Sequence, residues 1–115
     1  MIIVANTFTR PSKDVAFFVT PDALMTEFLT KYRYTGKTIS TTTETSDDGL
    51  SVVVTTKWHS RADFNEFLDD ALSDTMRVLR SAYVEANGIQ MSSDIKYIPT
   101  EGDMDSFQPS PAKGV

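Results

Sequence analysis

The chain opens on a strict alternation. In IIVANTF, Ile2, Val4, Asn6 and Phe8 fall on one side and Ile3, Ala5 and Thr7 on the other, the period of two that marks a strand buried over most of both faces. Pro11 and Ser12 break that strand, and an apolar loop with Val15, Phe17, Phe18 and Val19 follows. The next signal is helical: Thr20 reads as the N-cap, Pro21 as the first helical residue and Asp22 as a first-turn acid. Leu24, Met25, Phe28, Leu29 and Tyr32 recur at helical spacing up to a stop at Gly36. Two β-branched runs, KTISTTTET (37–45) and LSVVVTTKW (50–58), flank Ser46-Asp47-Asp48-Gly49 and predict a hairpin. Ser60 followed by Asp63 resembles a capping box, opening a second helix whose buried stripe is Phe64, Phe67, Leu68, Ala71 and Leu72. Asp69, Asp70 and Asp74 crowd its middle and Ser73 could cap a fresh turn, so a break or kink is expected there. Met76, Leu79, Tyr83 and Ala86 carry the stripe on to a stop at Asn87-Gly88, and IQMSSDIKYI (89–98) alternates as a last strand before Pro99.

Strand, helix, strand, strand, helix, strand is the split βαβ order of the ferredoxin-like α+β fold, a four-stranded antiparallel sheet with both helices on one face. One domain over residues 1–98 is expected. The remaining 99–115 contain prolines and glycines and, with Lys113 against Glu101, Asp103 and Asp105, a local charge of −2, which reads as an acidic tail anchored at most by Met104 and Phe107. The sheet face away from the helices mixes Ile3, Ala5, Thr7, Val53 and Thr55, too apolar to stay wet and too polar for a helix-packed core. Pairing with the same face of a second copy would bury it, so a homodimer is expected.

Composition then narrows the partners. A net charge of −5 argues against nucleic acid, whose binding depends on clustered Lys and Arg; the one basic grouping, Lys31-Tyr32-Arg33, sits where a helix C-terminus favours cations. With no cysteine there is no disulfide and no thiolate chemistry, and the apolar start MIIVA is too short for a signal segment or a membrane span; a cytoplasmic protein without membrane contact is the expectation. One histidine and no cysteine leave only a carboxylate-rich metal site, for which no spacing gives evidence, so no metal is expected; with no Gly-rich phosphate loop either, no other cofactor is expected.

The segments VANTF, with Asn6 near the end of the first strand, and KWHSRADFNEFLDD, with a strand-ending Trp58, Ser60 two residues later and a Phe-rich helix start, resemble the dimeric α+β barrel proteins and within them the antibiotic biosynthesis monooxygenase-like group. The resemblance spans residues 1–98. It implies sheet-to-sheet dimers with substrate held between each sheet and its helices, and oxidation of quinol-like aromatics or opening of haem without a flavin or a dedicated metal. The haem-degrading branch uses an Asn from the first strand with a Trp and a His from the second helix. Asn6 matches the first; Phe67 and Arg77 stand where the other two would be, so the haem ligand is missing. Trp58 corresponds to a strand-ending Trp with a packing role.

Candidate chemistry follows from residue type and position. His59 titrates in the right range for a general base, yet directly before an N-cap serine it reads as a solvated or locally bonded corner residue. Asn6, flanked by Val4 and Phe8 on the helix-facing side, is either a hydrogen-bonded core amide or a donor that orients a substrate oxygen or dioxygen. Arg77 is either the i+3 partner of Asp74 or an anion-binding residue at a pocket mouth, and Tyr83 is a second assisting candidate. Phe17, Phe18, Phe28, Phe64 and Phe67 either line an aromatic cavity for a hydrophobic small molecule or are plain core. Three readings stand: a small cofactor-free enzyme on an aromatic molecule, a non-catalytic binder of the same fold, and a structural dimer with a filled core. An open cavity favours the first two; Phe17, Phe28 and Phe67 filling that space favours the third.

Overall fold

The computed structural model describes residues 1–99, which form β1 (Ile2–Thr9), α1 (Asp22–Phe28), β2 (Thr38–Thr45), β3 (Ser51–Trp58), α2 (Arg61–Asp69), α3 (Ala71–Ala86) and β4 (Gln90–Tyr97). The expected acidic tail, apart from Pro99, lies outside the described residues. The strands form one antiparallel sheet in the order β2-β3-β1-β4, the ferredoxin-like arrangement that the alternation along the chain predicts.

Local chemistry accounts for most element ends. The hairpin turn closes through Ser46, whose hydroxyl donates to Asp48 Oδ1 at 2.6 Å, and through Gly49 at a φ of +73°, a left-handed conformation that glycine adopts without steric cost. Ser60 Oγ accepts the Asp63 amide at 3.1 Å and starts α2 as the capping signal implies. Asn87 and Gly88, the latter at φ +66°, end α3.

Three elements depart from the expectation. The first helix begins at Asp22 because Pro21 takes the extended ψ of 141° and acts as a cap residue through its carbonyl, which accepts from the Met25 amide at 3.0 Å; Thr20 caps nothing. That helix then widens into a π-helical segment, Leu29–Arg33, marked by the i→i+5 bond from Tyr34 N to Leu29 O at 2.8 Å. The expected break in the second helix is real, but Asp70 rather than Ser73 caps the new helix: its carboxylate accepts the Leu72 amide at 2.9 Å while its ψ of 137° turns the chain. Leu79, placed on the buried stripe by spacing, is 40% exposed, because α3 turns Leu72 and Met76 inward instead.

The core gathers at the end of the sheet where β1 starts and β3 finishes. Ile2, Tyr32, Trp58 and Leu72 are buried there, with Val4, Leu24, Phe28, Phe64, Phe67, Met76 and Tyr97 packed around them. Trp58 is the hub. Phe67 stacks on it at 5.2 Å between ring centroids, while Phe28 meets it edge-on at 6.0 Å and Tyr32 at 5.7 Å, geometries in which ring edges and faces attract. Trp58 thus has the packing role expected of it. His59 beside it is exposed and lies 3.6 Å from the Asp63 carboxylate, a corner contact outside the core.

Candidate ligand cavity

The helices do not close over the whole sheet. Between the helix-facing sides of β1, β2 and β3 and the inner faces of the helices lies a cavity of about 550 Å³, within the range of small-molecule sites. Its position follows from the elements. Val4 and Asn6 reach it from β1, Val54, Thr56 and Trp58 from β3, and Thr38 and Thr41 from β2. A row at every fourth residue, Met25, Leu29 and Arg33, runs down one helical wall into the π-helical segment, and Phe28 stands beside it. Phe64 and Phe67 of α2 and Met76 and Arg80 of α3 complete the lining.

Asn6 occupies the alternate position next to Val4, so the strand period turns its amide toward the helices. Its cross-strand neighbour in register on β4 is Ser93, whose hydroxyl donates to Asn6 Oδ1 at 2.6 Å. That bond fixes the amide and leaves its N–H donors without a protein acceptor among the described residues. Two polar atoms of the lining residues are shut off from water with no hydrogen-bond partner: Thr38 Oγ1 and Arg80 Nε. Burial pulls the Arg80 guanidinium below the usual arginine range, helped by the like charge of Arg77.

The candidates read from the sequence separate into two groups. Asn6, Phe28, Phe64 and Phe67 come together in the lining. Phe17, Phe18, Tyr83 and Arg77 do not, and each has a physical reason. Phe17 lies under the Arg10 guanidinium at 4.4 Å, and Arg10 also donates to Gly49 O and Val15 O, pinning the apolar loop at the end of the molecule where β1 finishes. Tyr83 spends its hydroxyl on Ala16 O at 2.6 Å and its ring on Phe18 at 5.6 Å, fastening the same loop to α3. Arg77 pairs with Asp74 on the exposed side of α3. The residue that spacing missed is Arg80. It stands four and eight positions beyond Met76 and Leu72, so it continues the inward row, and a cation at that position is the signal that the row Met76, Leu79, Tyr83 had obscured. Among the described residues no group of three His, Asp or Glu side chains could hold a metal ion.

Neither a protein-family model nor a curated protein matches the sequence. Solved structures do match. The chain resembles SnoaB, a cofactor-independent oxygenase from Streptomyces nogalater, at 12% identity and a TM-score of 0.58, over 86% of this chain and 93% of that one. A candidate antibiotic biosynthesis monooxygenase from Deinococcus radiodurans matches at 9% identity and a TM-score of 0.54, over 87% and 94%. A dimeric ferredoxin-like protein from an uncultured marine organism matches at 11% identity and a TM-score of 0.52, over 87% and 96%. The resemblance read from VANTF and KWHSRADFNEFLDD therefore holds at the level of fold: this chain has the ferredoxin-like fold of monooxygenase-like α+β barrel proteins.

Proposed function

We propose that the protein binds a hydrophobic aromatic small molecule in the cavity between sheet and helices and oxidises it with dioxygen, without a flavin or a dedicated metal. The observation that carries this reading is the open cavity, walled by Phe28, Phe64, Phe67 and Trp58, with Asn6 at its sheet face. Chemistry of this kind draws its electrons from the substrate: an activated ring methylene and O2 yield a ring carbonyl and water, so no external reductant enters. The amide N–H groups of Asn6, held in place by Ser93, are positioned to donate to an oxygen on which charge develops, either of the substrate or of reduced dioxygen. Tyr83 and Arg77 have no part in this reading, their polar groups being engaged elsewhere. Haem is not among the proposed substrates, since Arg77 stands where the imidazole would be needed.

The fold of a cofactor-independent oxygenase supports the enzyme reading over a structural dimer with a filled core, because Phe28 and Phe67 wall the cavity without filling it. A binder without chemistry shares the same cavity and is separated by experiment. Oxygen uptake is followed with a panel of quinol-like aromatics, comparing the native chain with Asn6→Ala. Removing one donor of this type lowers turnover about a hundredfold or more. Turnover unchanged in Asn6→Ala removes the assigned role, and binding with no oxygen uptake across the panel leaves the non-catalytic binder.

We also propose that the chain pairs sheet to sheet with a second copy. The marine ferredoxin-like protein of the same fold is dimeric, and the open sheet face here has an apolar middle of Ile3, Ala5 and Val53.

A further inference from the structure

The protein carries a net charge of −5, yet the cavity lining contains two guanidinium groups, Arg33 and Arg80, and no carboxylate. Elsewhere several cations have partners: Lys31 pairs with Glu27 and Asp70, Lys37 with Glu66, Arg77 with Asp74, and Arg10 with backbone carbonyls. The Arg33 and Arg80 side chains have no hydrogen bond or ion pair among the described residues, and Arg80 Nε is cut off from water as well. Desolvating a cation without a counter-charge is costly, and a structure tolerates it where a ligand supplies the missing charge. Around the two cations the walls are mostly aromatic and aliphatic, with Asn6, Thr20, Thr38, Thr41 and Thr56 as uncharged polar residues.

From this juxtaposition we infer that the cavity selects an apolar aromatic molecule carrying one anionic oxygen group, such as a carboxylate or sulfonate, with Arg80 as the principal counter-charge and Arg33 as the second. The inference rests on the proposed use of the cavity as a ligand site and adds the charge of the ligand to it. Arg80 pairs with the anion while Phe64 and Phe67 hold the rings. Thr38 Oγ1, which is also shut off from water without a partner, lies on β2, as does Thr41, and adds a hydroxyl to that side of the lining.

The test uses a matched pair of fluorescent probes. 1-Anilinonaphthalene-8-sulfonate is anionic, and N-phenyl-1-naphthylamine has the same ring system without the sulfonate. Both are titrated into the full chain, into Arg80→Gln, Arg80→Lys and, as a control for surface charge, Arg77→Gln. The expected result is that the native chain prefers the sulfonate by about tenfold or more, as a charge-assisted hydrogen bond affords. Arg80→Gln removes that preference and keeps the affinity for the neutral probe, Arg80→Lys retains part of it, and Arg77→Gln leaves it intact. Equal affinity for the two probes in the native chain overturns the anion preference while the ligand cavity stands. An equal loss in Arg77→Gln overturns it too, by showing general surface attraction. Absence of binding by either probe overturns the cavity reading itself and this inference with it. Since the Arg80 side chain makes no protein hydrogen bond, Arg80→Gln is expected to fold as the native chain does, which its retained neutral-probe binding verifies.

Discussion

Asp70 accepts hydrogen bonds from the Tyr32 hydroxyl at 2.5 Å and from the Leu72 amide at 2.9 Å, so one carboxylate ties the end of the first helical segment to the start of α3. The Tyr32 hydroxyl, the Leu72 amide and the Lys31 ammonium hold this carboxyl below the usual carboxylate range. A carboxyl depressed in the folded state stabilises the fold above its unfolded pKa of about 4, and that stabilisation disappears as pH falls through the folded value. Tyr32 behaves with the opposite sign. Burial, then the hydrogen bond to Asp70, raises its phenol, so its contribution is complete below the unfolded pKa of about 10 and is lost as pH rises through the folded value. Thermal melts across pH should therefore show an acid slope that Asp70→Asn flattens, because an amide does not titrate; its single oxygen keeps only one of the two bonds, so the flatter slope comes with a lower stability at neutral pH. Tyr32→Phe should cost about 1–3 kcal/mol at neutral pH, having left a charged acceptor short of its donor. An acid slope unchanged in Asp70→Asn would assign the acid sensitivity to other carboxylates.

Among the elements, α2 links the core to the cavity, for it carries Phe64 and Phe67 and begins at the Ser60 cap. Ser60→Ala removes the acceptor for the Asp63 amide and should cost about 1 kcal/mol, whereas Ser60→Asp, which keeps an acceptor, should cost little. Because the frayed turn precedes Phe64, the alanine variant should also bind a neutral aromatic probe less tightly. Melting curves and fluorescence titrations of both variants check this, and a loss of stability with binding untouched would place α2 outside the ligand wall. The same element shows what sequence makes legible. Caps, turns and strand alternation act through a few neighbouring residues, so the Ser60 cap, the Gly49 turn, the Asn87-Gly88 stop and the sheet order could all be read directly. The inward position of Asn6 was legible for that reason, and Phe28, Phe64 and Phe67 for their helical spacing. The π-helical segment has no such signature, since an i→i+5 bond asks for no particular residue at Leu29 or Tyr34. Arg80 was hidden because α3 restarts at Asp70, and the new cap resets the phase of the helix. Tyr83 and Phe18 looked like cavity residues by type, and only the long-range bond from Tyr83 to Ala16, between segments far apart in the chain, shows that they fasten a loop.

At the scale of the whole molecule, the sheet has two faces with different duties. The helix side holds the core and the cavity. On the other side Ile3, Ala5 and Thr7 of β1 lie beside Lys57, Thr55 and Val53 of β3, and all but Lys57 are half-buried within the single chain. Outward from this stripe the pairing puts Glu44 next to Val53 and Asp94 and Lys96 next to Ala5 and Ile3, so an apolar middle is flanked by polar and charged residues. That layout suits an isologous contact, in which the same patch meets itself across a twofold axis and the charged margin stays hydrated. Sedimentation at micromolar concentration should report twice the chain mass of 12.8 kDa. Val53→Lys should shift it to the single-chain mass, because each copy would then carry an ammonium into the middle of the contact, with no partner for either charge. The cavity opens on the opposite face and is lined wholly within one chain, so the separated variant should still bind a neutral aromatic probe. Retained binding distinguishes a dissociated dimer from a misfolded chain. A native protein that sediments as a single chain would overturn sheet-to-sheet pairing and leave the half-buried stripe to be covered by something other than a second copy.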